Sequence, residues 1–298
     1  MFDFLKGGKA QINLTLDHSD GVYHPGETVQ ARVNVIGEKD LKIQQGRITF
    51  VYSEEYQIRQ YRTETDSHGH RRQVTHTEWK KDERQLNQTV FLPETTIAGG
   101  ANQTFDFAIP IPADAPPSVN GNIVRIKWLV KATLDRKMAG DIEAQTEISI
   151  PSTAPGEQSG EGRYGNSNEP QEADLEFLLP SKEFVLGETI AGTLLISPQK
   201  DFDVNEVRLA LVQRENVPQA LGNTHAQEQT IKLANQVKLQ PSQPLSFPFN
   251  VTLPPNGLPS AKTPNSSVTW LLVGTLARRL RKDTFVEESV SVYSQRAR

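Results

Sequence analysis

The chain predicts an all-β fold of two tandem antiparallel β-sandwiches. Three observations carry this expectation. One set of short motifs recurs, in the same order, in both halves. Apolar and polar residues alternate with period two, as at Val29, Ala31, Val33 and Val35, the pattern of a half-buried strand. Helical periodicity of useful length is missing, while Pro, Gly and Asn break the chain at short intervals.

The repeat starts at Gly26-Glu27-Thr28, which returns as Gly187-Glu188-Thr189, an offset of 187 − 26 = 161. At that offset Val29, Ala31 and Val33 fall on Ile190, Gly192 and Leu194. Arg47, Ile48 and Phe50 fall on Arg208, Leu209 and Leu211. Further on the offset becomes 247 − 105 = 142. Phe105 and Phe107 then meet Phe247 and Phe249, Pro117-Ser118 meets Pro259-Ser260, and Trp128 meets Trp270. Internal repetition of this kind decides the fold. The Pro-rich stretches that follow each Phe-x-Phe pair lack N–H donors and read as irregular links between two sheets. Trp128 and Trp270 read as core residues of long strands crossing each sandwich.

The N-terminal domain is placed at 1–151 and the C-terminal domain at 174–298. Between them, 152–173 is dominated by Gly, Ser, Pro, Glu and Asn. It reads as a flexible linker that lets the domains reorient.

The fall in offset, 161 − 142 = 19, means that the first copy holds 19 extra residues between Val51 and about Leu86. They read as a long hairpin at 53–85. One strand runs out through Tyr56 and Ile58, a turn follows at Ser67-His68-Gly69-His70, and a strand returns from Val74 to Trp79. The hairpin carries Tyr56, Arg59, Tyr61, Arg62, His68, His70, Arg71, Arg72 and Trp79. Tyr, Trp and Arg are the residue types enriched in interface hot spots, so these residues form the candidate partner-binding finger. The alternative is a solvated hairpin whose aromatics pack on each other. His68, His70 and His76 lie close in sequence, but His-x-His at a loop tip without a carboxylate partner is a poor ligand set. No metal and no cofactor is expected.

A second candidate is the turn after the second Trp strand, with Arg278, Arg279, Arg281 and Lys282. It reads either as a solvated turn or as a contact for phosphate, acidic peptide or anionic lipid.

Composition narrows the function. A chain of 298 residues is long enough for two cores, and a net charge of −4 gives no general pull toward nucleic acid. The absence of cysteine excludes disulfides, thiolate catalysis and cysteine zinc sites. There is no Gly-rich phosphate loop, nucleophile elbow or His-Glu-x-x-His, so no enzyme is expected. The residues MFDFLKGGK lack the apolar core of a secretory signal, and no run nears the roughly 20 apolar residues of a spanning helix. A cytoplasmic protein is expected, with at most peripheral membrane contact.

The order of these pieces, VYHPGETVQARVNV, then PPSVNGNIVRIKWLVKATLDR, then FPFNVTLPPNGLPS and WLLVGTLARR, resembles the arrestin-like superfamily. The likeness is closest to bacterial proteins grouped with the sporulation-control protein and to arrestin-domain-containing proteins. It implies two immunoglobulin-like, arrestin-fold sandwiches and no catalysis. It also implies an adaptor, scaffold or regulator of signalling, sporulation-type control or trafficking. The 53–85 hairpin falls where members carry a receptor-engaging loop. No Lys-Lys pair stands in the first strand to match the phosphate-sensing lysines of visual-type arrestins. The expected partner is therefore another protein, held through the hairpin and sheet edges, and a homodimer through those edges is open. The alternatives are a carbohydrate- or lipid-binding sandwich and a self-assembling structural subunit.

Overall fold

The computed structural model describes residues 9–65, 67, 69–137, 139–156, 160–218 and 222–296. The described chain is all-β. The first copy supplies seven main strands: β1 (Lys9–Leu16), β2 (Thr28–Lys39), β3 (Gln45–Thr65), β4 (Arg71–Leu92), β5 (Asn102–Pro110), β6 (Val124–Asp135) and β7 (Ile142–Ile148). The second copy supplies β8 (Ala173–Leu179), β9 (Thr189–Pro198), β10 (Phe202–Asn216), β11 (Thr224–Leu239), β12 (Leu245–Thr252), β13 (Ser267–Ala277) and β14 (Thr284–Tyr293). The sheet orders are β1-β2-β5 and β7-β6-β3-β4 in the first copy, then β8-β9-β12 and β14-β13-β10-β11 in the second. Adding seven to each label converts one copy into the other.

Register repeats as well as order. Ala31 pairs with Phe107 and Gly192 with Phe249, so the pairing obeys both sequence offsets at once. The shared Gly-Glu-Thr now has a physical reason. Gly26 and Gly187 sit at φ 85° and 86°, which a side chain disfavours, and each closes a turn ahead of its strand. Glu27 and Glu188 then fold back, their carboxylates accepting the amides of His24 (2.7 Å) and Val185 (2.8 Å).

The two tryptophans are core residues as expected. Trp128 is buried against Phe50, with ring centroids 5.5 Å apart, and its indole N–H donates to the Pro116 carbonyl at 3.1 Å. The indole of Trp270 donates to the Leu258 carbonyl at 2.8 Å. Both acceptors lie in the irregular Pro-rich links. Ser118 and Ser260 complete the pattern, accepting the amides of Ile150 (3.0 Å) and Val292 (2.9 Å) on their hydroxyls. A buried Trp must place its N–H, and each copy solves that in the same way.

The chain divides into two compact units. The first holds residues up to Glu55, Lys80–Ser118 and Arg125–Pro151. The second holds Tyr56–Trp79, Val119–Val124 and the chain from Ser152 onward. The outer half of the β3–β4 hairpin thus belongs to the second unit.

Among the described residues of 152–173, three short paired segments correct the flexible-linker expectation. Thr153–Ala154 pairs in parallel with Gln295–Arg296, Gly162–Tyr164 pairs with β8, and Asn166–Ser167 pairs with β14. Ala154 is buried, and Arg296 donates twice to Glu188 at 2.8 Å. Main-chain pairing holds these polar residues, and composition does not report main-chain pairing.

Candidate partner-binding site

The hairpin strands β3 and β4 are longer than 53–85, and their turn falls at Ser67 and Gly69 as expected. Side chains of a strand alternate between faces, so residue parity sorts this hairpin. Contacts confirm the sorting. On the even face Gln60 bonds Glu78, and Glu64 meets both Arg72 (3.6 Å) and His76 (3.4 Å). On the odd face Gln57 and Arg59 both reach Asn223 at 3.0 Å.

The predicted residues therefore do not form one surface. Tyr56, Arg62 and Arg72 lie on the even face with Glu64 and Glu78. Arg59, Tyr61, Arg71 and Trp79 lie on the odd face, where no described residue from 57 to 79 is acidic. Tyr61 and Trp79 are 59% and 37% exposed there, large apolar side chains that reach the surface. His70 lies in the turn segment, exposed. His68 falls outside the described residues. Among the described residues no group of three or more His, Asp or Glu is placed to hold a metal ion.

The root of the hairpin is built in. The Gln57 amide donates to the Ile123 carbonyl at 2.9 Å, and Asn223 is itself buried. Arg59 thus spends its Nε on Asn223, a structural role that its residue type did not announce.

The basic turn between β13 and β14 also divides. Arg278 is only 6% exposed in its side chain; it bonds Glu172 and Thr284 and lies 4.3 Å from the Phe202 ring. Its bond to the Glu172 carboxylate holds that group below its ordinary pKa. It therefore serves the core and is not the expected anion contact. Arg279 is exposed in the turn. Arg281 and Lys282 line a shallow groove of about 490 Å³ together with Asp283 and Glu287, and Lys282 pairs with Glu169 at 3.4 Å. Acids beside the cations blunt the groove for an anion.

Sequence reasoning missed Glu215. Its carboxylate is fully buried and accepts the amides of Asn122 (3.0 Å), Ile123 (2.8 Å) and Val124 (3.1 Å), and the Asn122 side chain at 3.2 Å. The only signal was position: 215 − 161 = 54, which makes it the counterpart of Glu54. Glu54 is also fully buried.

Among the described residues no helix is long and apolar enough to cross a membrane. Residues 12–154 match the family model of the arrestin (or S-antigen) N-terminal domain, and residues 171–283 match that of the SpoOM protein. No curated protein matches the chain. The break between the two matches falls inside 152–173, where one sandwich gives way to the next. The chain is built of two tandem β-sandwiches, similar to the arrestin N-terminal domain in its first half and to SpoOM in its second.

Proposed function

We propose that the chain is a non-catalytic, cytoplasmic adaptor or regulator that binds another protein through the odd face of the β3–β4 hairpin. The two matched families are regulatory and generally non-enzymatic, which supports a binding role in signalling or sporulation-type control in a bacterial cell. One observation carries the choice of surface. Tyr61 and Trp79 stand exposed on a face whose described residues from 57 to 79 include Arg71 and no acid. Aromatic and Arg anchors on a rigid strand pair are what a protein interface buries at its centre.

The test is affinity capture from the native host's lysate, comparing the wild type with Tyr61→Ser/Trp79→Ser and identifying bound proteins by mass. The proposal expects a partner that the double variant no longer retains. Capture of the same proteins by both forms, or of none by either, would overturn it.

A further inference from the structure

We propose that β5 is a self-pairing edge, through which two copies of the chain join their first sandwiches into one continuous sheet. β5 ends the β1-β2-β5 sheet, and among the described residues no strand pairs with its outer side. The direction of its main-chain groups follows from the flanking bonds. Ile111 N donates to Glu27 O and Gly37 N to Ala101 O, both at 2.8 Å and both in the β2–β5 register. Hydrogen-bonded pairs alternate along an antiparallel ladder. Gln103, Phe105, Phe107 and Ile109 therefore bond β2, while Thr104, Asp106 and Ala108 turn their N–H and C=O groups outward.

The second sandwich shows this same edge protected. β12 occupies the equivalent place, and Pro248 stands where β5 has Asp106, since 248 − 106 = 142. Pro248 pairs with Thr193, as Asp106 pairs with Arg32. Leu253 N donates to Glu188 O at 2.8 Å, so the same alternation applies, and the Pro248 ring replaces the outward N–H at the middle of that edge. Proline at such a position blocks strand addition. β5 has no proline before Pro110, and its one charge, Asp106, is held by Arg32 at 2.7 Å.

The edge complements itself. An antiparallel pairing that sets Thr104 opposite Asp106 of the second copy gives each carboxylate a hydroxyl donor, twice about a two-fold axis. The same register brings Phe105 of both copies side by side on the inner face, where each is only half-buried in one copy. The register that sets Asp106 against itself places like charges together and is disfavoured.

Sedimentation equilibrium of the full chain from about 1 μM to about 1 mM, with amide exchange at both ends of the range, tests the proposal. A dimer is expected, with the Thr104, Asp106 and Ala108 amides protected as it forms. Asp106→Pro copies the second sandwich without touching the β2 ladder and should weaken the dimer about tenfold or more. Thr104→Asp, which sets acid against acid, should weaken it similarly. A monomer throughout, or a dimer that both variants leave intact with those amides unprotected, overturns the proposal.

Discussion

Gly121 and Glu215 occupy adjoining space: a Cβ on Gly121 would stand 2.7 Å from Cδ of Glu215. The bare glycine lets a buried carboxylate come down onto three consecutive main-chain amides, Asn122 to Val124. Gly121→Ala should destabilise the second unit by about 2 kcal/mol or more, because backbone or carboxylate must shift. Glu215→Gln should cost about 2–3 kcal/mol, since an amide nitrogen replaces an acceptor that the N–H groups require. Urea unfolding followed by circular dichroism measures both. No change in either variant would remove the clasp from the account of stability.

Trp128 and Trp270 each anchor a Pro-rich link through one indole bond. Trp128→Phe and Trp270→Phe should each cost about 2–4 kcal/mol, combining a lost hydrogen bond with a cavity. The two losses should appear in different units of the chain. Calorimetry that resolves two transitions should show each variant lowering a different one.

Glu172 should give the second unit an acid limb. Its bond to Arg278 depresses its pKa in the folded chain. The stabilisation is therefore complete above the unfolded value, near 4.3, and is lost as pH falls through the lower folded value. Glu172→Gln should remove this dependence and lower stability at neutral pH by about 2–3 kcal/mol, leaving the buried Arg278 uncompensated. Unfolding midpoints between about pH 3 and 7 check it.

The basic turn should behave as two classes of residue. Arg278→Ala should destabilise by about 2–4 kcal/mol. Arg281→Ala and Lys282→Ala, both in exposed positions, should stay within about 0.5 kcal/mol of the wild type. Thermal melts of the three variants separate the classes.

The repeat was legible because its residues act locally. Gly26 and Gly187 make a turn that only a permissive backbone adopts, and the Phe-x-Phe and Trp positions alternate with the pleat. Glu215 was illegible because its donors lie about ninety residues away, and a carboxylate clasped by amides looks the same in sequence as one in water. Arg278 was misread for a related reason: a basic run shows charge, while Glu172, Phe202 and Thr284 arrive only with the fold. The strands within 152–173 carry little side-chain pattern, so composition read them as slack. In the candidate site, residue types located the hairpin, but parity and the Gln57–Asn223 root were needed to separate the anchored Arg59 from the exposed Tyr61 and Trp79.

The correspondence of bonds at the repeated motifs of the two sandwiches has an experimental use. A substitution made in one copy has its own control in the other, in the same tube, at the same concentration and in the same buffer. Placing an identical change at Trp128 and at Trp270, or at Gly26 and at Gly187, compares two surroundings for one chemical event. The chain can thus serve as a differential instrument, in which whatever the paired sites do not share is read directly as the influence of context.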